Sequence, residues 1–143
     1  MEKELHLINK GLQCPYCHCA TELKDSATVY KGRHYGMVRV CPQCGAYVNC
    51  YPGTDRATGS VADAELRRLR HSAHLWFDAI WQNKLKRSRY NAYSWLSLRL
   101  RLNKDFTHIG MADKELCRRI IDISRRYIST HDPDLYRRLE EKI

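Results

Sequence analysis

Four cysteines occur in two pairs whose spacing is typical of a zinc site. Cys14 and Cys17 lie in the sequence CPYC, and Cys41 and Cys44 lie in the sequence CPQCG. Two thiolates three residues apart on a tight turn can bind one ion, and two such turns complete the tetrahedral shell of a structural zinc. The proline in each turn restricts its backbone. We therefore expect these four side chains to bind one structural Zn²⁺.

With four cysteines in the shell, the predicted zinc ion has no open coordination position. Such an ion holds the fold together and does not activate water. Two side chains next to the first pair, His18 and Cys19, are alternative ligands in place of Cys17. Metal binding in small zinc peptides is worth on the order of 10 kcal/mol, so this lobe should unfold when the metal is removed.

Other histidines and cysteines raise the alternative of a second metal site. The spare donors are His34, Cys50, His71, His74, His108 and Cys117. His71 and His74 have helical spacing, but His71 points away from the apolar stripe of its predicted helix and His74 lies at the edge of that stripe. We expect these two to be a surface and a partly packed histidine. Cys50 and Cys117 are expected to be small buried side chains.

The elements around the cysteine pairs are predicted to be short antiparallel strands. Residues 27–30 are strand-prone, Lys31-Gly32 is a turn signal, and residues 35–40 alternate apolar and other side chains as they return to the second pair. Residues 46–51 are a third candidate strand. The 23 residues between the pairs are enough for two strands. A zinc ribbon over residues 12–53 is the expected fold of this lobe.

The domain organisation follows from a break in composition after the ribbon. Residues 54–60 belong to a stretch dense in Gly, Thr and Asp, which predicts a connecting loop. Residues 1–11 are an N-terminal tail. Residues 61–143 form a basic helical region, which we expect to pack with the ribbon in one compact domain.

Helical signals recur throughout residues 61–143. Apolar side chains at helical spacing between Leu66 and Ile80 predict a first helix, and Ser60 with Asp63 has the spacing of a capping box at its start. Further helices are expected over about residues 89–101, from near Asp113, and from Asp132, which is followed by Pro133. The predicted fold class is α+β, a zinc ribbon followed by a bundle of three to four helices.

Positive charge is concentrated in the helical region. The net charge is +9, and residues 61–143 contain eighteen Lys/Arg against eleven Asp/Glu. Residues 84–104, called the basic segment below, contain no acid. Their basic residues are Lys84, Lys86, Arg87, Arg89, Arg99, Arg101 and Lys104. A polyanion is the natural partner of such a segment.

Aromatic residues are interleaved with these cations. Tyr90, Tyr93 and Trp95 lie within the basic segment. In the ribbon, the predicted turn carries Lys31, Arg33 and Tyr35, which together could supply phosphate pairing and base stacking. Ordinary strand composition is the alternative explanation for the ribbon residues. Paired arginines in the later helices have acids at helical distance and are expected to form exposed ion pairs.

Several function classes find no support in the sequence. It has no phosphate-binding glycine loop, no dinucleotide fingerprint, no HExxH and no nucleophile elbow, so we do not expect an enzyme. No apolar run is long enough to span a membrane, and the first residues lack the apolar centre of a signal peptide. Paired thiols without a disulfide framework fit a reducing compartment, so a cytoplasmic protein is expected.

The sequence also resembles a family of small phage, prophage and mobile-element proteins that contain a zinc-finger domain. The resemblance covers roughly residues 12–123 and rests on four stretches, which are CPYC, CPQCGAYVNCYPGTDRATGSVADAELRRLRHSAHLWFD, AYSWLSLRL and THIGMADKELC. It implies zinc ligation by the four paired cysteines, a mobile-element origin and a bacterial cytoplasm. It implies no activity.

From the residues, the expected function is that of a non-enzymatic, zinc-stabilised nucleic-acid-binding protein. The basic segment would contact the phosphates of DNA or RNA, and the ribbon would be a rigid platform. The alternative is a protein-interaction module that recognises an acidic surface on a host or phage protein.

Overall fold

Three short strands form an antiparallel sheet in the computed structural model, which describes residues 2–32, 34–104 and 107–142. They are β1 (Glu22–Asp25), β2 (Met37–Val40) and β3 (Tyr47–Asn49), and β2 lies in the middle. Val38 of β2 is opposite Lys24 on one side and Asn49 on the other, and its side chain is fully buried. The predicted three-stranded ribbon is confirmed.

The first predicted strand was placed too late in the chain. Residues 27–30 were expected to be extended, but a single 3-10 turn, Ser26–Thr28, follows β1 instead. The Asp25 side chain accepts a hydrogen bond from the N–H of Ala27 at 2.9 Å, and the Thr28 hydroxyl donates to the Asp25 carbonyl at 2.8 Å. Such local bonds compete with strand pairing, and here they prevail over the strand propensity of the following residues.

Four helices follow the ribbon, as predicted. They are α2 (Ala64–Gln82), α3 (Arg89–Leu100), α4 (Lys114–His131) and α5 (Pro133–Glu140). Ser88, Asp113 and Asp132 each accept a hydrogen bond from a backbone N–H in the first turn of α3, α4 and α5, respectively. An additional helix, α1 (Glu2–Asn9), lies within the residues described from sequence as a tail. None of the helices in the described residues is long and apolar enough to cross a membrane.

Helix α2 begins later than the capping-box spacing suggested. The Asp63 carboxylate accepts the N–H of Leu66 at 2.8 Å, so Asp63 caps the helix. Ser60, the predicted cap, is only 4% exposed and lies before the helix. An aspartate is a strong N-cap and a weak third residue in a capping box, which explains the difference.

The chain divides into two compact units, residues 1–67 and residues 68–143, with the boundary inside α2. In the first unit, buried Cys14, Cys41, Ala46 and Val61 form the centre of a small core. The second unit has a larger apolar core. Its largest fully buried side chains include Trp76, Phe77, Ile80, Leu96, Ile120 and Ile128. Since two predicted ligands are core residues, the metal site is also the packing centre of the first unit.

Gly11 lies at a tight crossing of the backbone in the first unit. Its φ is +74°, and a Cβ added there would lie 2.7 Å from the Cβ of Ala57 and 2.8 Å from the carbonyl oxygen of Gly59. The Thr21 hydroxyl donates to the Gly11 carbonyl at 2.6 Å. Only glycine satisfies both the positive φ and this close approach. Gly11 thereby fixes the path of the chain just before the first cysteine turn.

Candidate metal centre and basic surface

The two cysteine turns have the same backbone hydrogen bonds. The N–H of His18 donates to the carbonyl of Cys14 at 3.0 Å, and the N–H of Gly45 donates to the carbonyl of Cys41 at 2.9 Å. The N–H of each leading cysteine donates to the carbonyl five residues later, at 2.9 and 2.8 Å. Two local turns of the same geometry therefore present the cysteine sulfurs, and the sheet places one turn beside the other.

The sulfur atoms of the four paired cysteines are positioned to bind one zinc ion. They all lie within 4.8 Å of one another, and the Sγ atoms of Cys17 and Cys41 are 3.4 Å apart. A tetrahedron with Zn–S bonds of about 2.3 Å has sulfur–sulfur edges of about 3.8 Å, so the cluster has the right size. The predicted ligand set of Cys14, Cys17, Cys41 and Cys44 is confirmed.

The two alternative ligands are engaged elsewhere. The Nδ1 atom of His18 lies 3.1 Å from a carboxylate oxygen of Glu4. The Cys19 thiol donates to the side-chain carbonyl of Gln43 at 3.1 Å. Cys19 therefore lies beside the four-cysteine cluster without belonging to it.

Burial differs among the four sulfur ligands. Cys14 and Cys41 have no solvent exposure, Cys17 is half-buried and Cys44 is exposed. The cluster is thus enclosed by the first unit on the side of the leading cysteines and open to solvent at Cys44. This opening gives a metal ion or a chelator access to the site.

The thiols of the cluster differ in their pKa values. The N–H of Cys19 and the neighbouring thiols donate to the sulfur of Cys17, which lowers the pKa of that thiol to about 6. Hydrogen bonding to Cys17, and to a lesser extent to the other cluster sulfurs, raises the pKa of Cys44 to about 12. The hydrogen bonds among these sulfurs thus favour the thiolate form of Cys17 over that of Cys44. Zinc binds thiolates, so zinc binding must displace protons.

Comparison with known protein families agrees with this geometry. The model of a family described as a zinc-finger-containing domain matches residues 10–127, which include all four ligand cysteines. The chain belongs to this family. Membership in the zinc-finger-containing family and the cysteine cluster together identify a zinc-binding protein. Comparison with curated proteins and with solved structures gives no match.

The spare histidines and cysteines do not form a second cluster. Among the described residues, the four-cysteine site is the only group of three or more side chains placed to hold a metal ion. His71 is exposed, and the Nδ1 atom of exposed His74 lies 3.2 Å from the carboxylate of Asp78. Cys117 is fully buried, as expected, whereas Cys50 is only half-buried.

The residues of the basic segment occupy both ends of α3. Lys84, Lys86 and Arg87 lie between α2 and α3, and Arg89 is the first residue of α3. Arg99 lies in the last turn, Arg101 caps the helix with a φ of +57°, and Lys104 follows in the next loop. In sequence, the segment is therefore two groups of cations, one ending at the first residue of the twelve-residue helix and one beginning in its last turn.

Three of these cations lie over aromatic rings. The Lys86 ammonium is 5.3 Å from the ring centre of Trp95 and 5.0 Å from that of Tyr127. The Arg89 guanidinium lies 5.5 Å from the ring centre of Tyr93, and the Lys104 ammonium lies 3.9 Å from that of Tyr90. Cation–π contacts hold these charges near the protein surface without neutralising them.

The remaining arginines of the second unit differ, because several are paired with acids. Arg126 lies 3.3 Å from Asp122, and Arg125 lies 3.2 Å from Glu140. Arg137 pairs with Asp134. None of the seven cations of the basic segment forms an ion pair with a carboxylate of the described residues. Within the described residues, the basic segment is thus a stretch of seven cations without a carboxylate partner, whereas Arg125, Arg126 and Arg137 each have one.

The predicted ribbon contacts belong to the first unit. Lys31 is exposed and has a φ of +55°. Tyr35 is 66% exposed and contacts the ring of Tyr30 edge to face, with ring centres 5.5 Å apart. Arg33 lies outside the described residues. Lys31 and Tyr35 lie in the same turn region.

Arg67 of the first unit contacts an aromatic ring, which the sequence did not predict. Arg67 donates to the carbonyl of Ala62 at 2.5 Å and lies 3.8 Å from the ring centre of Tyr47. Tyr47 in turn contacts Tyr30 edge to face at 5.6 Å. The sequence shows only an Arg-Arg pair near the start of a helix. No local pattern links that pair to a strand residue twenty positions earlier.

Proposed function

We propose that this zinc-finger-containing protein is a non-enzymatic nucleic-acid-binding protein of a phage or mobile element. The zinc ion would stabilise the first unit, and the basic segment would make most of the contacts to phosphates. The mobile-element origin rests on the sequence resemblance. The binding proposal rests on charge, as follows.

The first support is the distribution of charge between the units. Residues 68–143 contain seventeen Lys/Arg and nine Asp/Glu, a net charge of +8, out of +9 for the whole chain. A surface with this excess attracts a polyanion and releases its counterions on binding. The first unit is close to neutral, which fits a structural role for the zinc ribbon.

The main support for the proposal is that the cations of the basic segment form no ion pairs within the described residues. Seven cations within 21 residues form no ion pair with a described carboxylate, whereas Arg125, Arg126 and Arg137 of α4 and α5 do. Charges that serve only solubility are usually interspersed with acids. Neighbouring cations repel one another, so binding of an external anion would stabilise this group.

The position of Arg89 adds a second, electrostatic support. Arg89 is the first residue of α3, Arg87 lies just before it, and the first turn of α3 has no acid. A helix N-terminus carries a partial positive charge, so cations there are unfavourable in the free protein by a few tenths of a kcal/mol each. A bound phosphate would reverse that cost.

The test is a fluorescence anisotropy titration of the zinc-loaded chain with single-stranded DNA, duplex DNA and RNA of equal length. The variant Arg87→Gln/Arg99→Gln removes two exposed cations that contact no aromatic ring in the described residues. We expect about tenfold weaker binding and a salt slope smaller by about 1.5 to 2. Substituting Lys86 or Arg89 would also remove ring contacts and is a less clean change.

The matched control is Arg126→Gln/Arg137→Gln, which removes the same number of charges from arginines that are paired with acids. This control should bind nearly as well as wild type. If no oligomer binds even at low salt, or if both variants lose the same affinity, the proposal is wrong.

A second candidate function, recognition of an acidic protein surface, has one observation in its favour. The second unit contains a groove lined by buried Leu135 and Leu139 and by two cations, Arg138 and Lys142. It also contains one acid, Asp78, whose carboxylate lies 3.2 Å from His74. An acidic amphipathic segment would match this groove in charge and polarity. The variant Arg138→Glu/Lys142→Glu should then abolish binding of an acidic amphipathic peptide, while leaving any oligonucleotide affinity that depends on Arg87 and Arg99.

A further inference from the structure

One row of side chains along α3 carries no charge and is exposed at Tyr90 and Leu98, although exposed Arg89 and Arg99 lie in the first and last turns of the same helix. Tyr90 is 69% exposed and Leu98 is 78% exposed, the highest values among the large hydrophobic side chains of the described residues. Ser94 lies between them, and the three positions are four residues apart. Side chains at this spacing share one face of a helix, and eight residues span about 12 Å.

This exposed face plays no part in the core. The opposite side of α3 carries Ala92, Leu96 and Leu100, which are all buried in the core of the second unit. Exposing a leucine and a tyrosine to solvent over two helical turns does not stabilise the fold. A helix chosen only for stability and solubility would carry polar side chains at these positions.

Cations border this face at both ends. Exposed Lys84 and Arg87 precede the helix, and exposed Arg101 and Lys104 follow it. The Lys104 ammonium lies 3.9 Å from the centre of the Tyr90 ring, so a positive charge lies directly beside an exposed aromatic ring. The arrangement is an aromatic and apolar surface with the Lys104 charge at the Tyr90 ring and further cations before and after the helix.

We propose that this face of α3 binds single-stranded nucleic acid in preference to duplex, a specificity that rests on the proposed function. Bases would stack on Tyr90 and pack against Leu98, and the bordering cations would contact the phosphates. A duplex presents phosphates outward but keeps the faces of its bases stacked inside, so it cannot use the uncharged face. An unpaired strand offers both, and stacking on an aromatic side chain tolerates any base.

The same charges argue against a second copy of this chain as the partner. Two copies meeting through α3 would bring their unpaired cations together, with no described acid in the segment to balance them. Like charges brought together across an interface disfavour association. A partner with negative charge and exposed flat apolar rings fits better, and a single nucleic-acid strand has both properties.

The experiment compares a 15-nucleotide single strand of DNA with a duplex of the same length, using the full zinc-loaded chain at several salt concentrations. Wild type should bind the single strand at least about tenfold more tightly. Tyr90→Ala should weaken single-strand binding by about tenfold, with an unchanged salt slope, and Tyr90→Phe should retain the affinity. Leu98→Ser, a second surface change, should weaken it in the same way.

The matched control is Tyr51→Ala. Tyr51 is 46% exposed and has the Arg56 guanidinium 5.5 Å from its ring centre, so it is a comparable aromatic and cation pair in the first unit. It should bind like wild type. Equal or tighter duplex binding, or an unchanged affinity in both Tyr90→Ala and Leu98→Ser, overturns the single-strand inference alone. The single-strand inference is also wrong if the protein forms a dimer that Tyr90→Ala and Leu98→Ser dissociate. Absence of binding to every oligomer overturns the proposed function as well.

Discussion

His18 and Gly45 occupy the same position in the two cysteine turns, and both have a positive φ, 64° and 74°. Each lies four residues after the leading cysteine and donates its N–H back to the carbonyl of that cysteine. Glycine adopts this conformation freely, whereas a residue with a side chain adopts it at a cost of about 1 kcal/mol. The first turn thus carries strain that the second does not.

We expect His18→Gly to stabilise the zinc-loaded first unit by up to about 1 kcal/mol, because it relieves the strained φ. Loss of the contact between His18 and Glu4 should offset little of this gain, since both side chains are largely exposed. His18→Val, with a β-branched side chain, should destabilise the unit. Thermal unfolding of the three proteins with one zinc per chain measures the difference. A His18→Gly protein less stable than His18→Val would contradict this account.

Removing zinc should unfold the first unit and leave most of the second folded. The core of the first unit includes the two buried ligands, whereas the core of the second unit contains no predicted ligand. Treatment with a strong chelator should therefore abolish amide exchange protection in residues 1–67 but not in the buried helices of residues 68–143. Cys14→Ser should behave like the chelated protein, and Cys50→Ser should still bind one zinc. Native protection throughout after chelation would exclude a structural role for the ion.

Cys117 should make stability depend on pH in the alkaline range. Burial raises the pKa of the Cys117 thiol from 9.0 to about 11, so between these values the native state holds a proton that the unfolded state has lost. Below pH 9 this group makes its full contribution to the free energy of unfolding. That contribution decreases by about 2 to 3 kcal/mol as the pH rises to 11. Urea unfolding at pH 8 to 11 should show a shallower decline for Cys117→Ala than for wild type. Parallel declines would show that Cys117 does not titrate as expected.

Gly11→Ala should destabilise the first unit by about 2 kcal/mol or more. The added methyl group would meet the Gly59 carbonyl oxygen at 2.8 Å, and the positive φ would be strained as well. Gly53→Ala is the matched control, since Gly53 has a φ of +73° but no atom within 4 Å of an added Cβ. It should cost only the conformational strain. Chemical unfolding of the two variants separates the clash from the strain, and equal losses would contradict the role given to Gly11.

The sequence predicted best what depends on local spacing. The four ligands, the caps at Asp113 and Asp132 and the later helices follow from short patterns that the structure reproduces. The predicted strand at residues 27–30 was wrong because one side-chain hydrogen bond from Asp25 starts a turn. Contacts such as that of Arg67 with Tyr47 join residues twenty positions apart. No periodic pattern in the sequence predicts such a contact, so only the structure reveals it.

The exposure of α3 could have been found from sequence but was not. On a helical projection the row Tyr90, Ser94 and Leu98 lies opposite the buried row Ala92, Leu96 and Leu100, which a count of basic residues does not show. The basic segment was described as one stretch of charge. In the structure it contains a helix with an uncharged row of side chains and with cations in its first and last turns and in the flanking loops.

The division into two units also has an optical consequence. All three tryptophans, Trp76, Trp81 and Trp95, belong to the second unit, while the first unit contains tyrosines but no tryptophan. Trp76 is 1% exposed and reports on the interior, whereas half-buried Trp95 lies beside Lys86 of the basic segment. Intrinsic tryptophan emission therefore follows one half of the molecule selectively. An anion that draws Lys86 away from the indole ring would register as a change in intensity, without any attached dye.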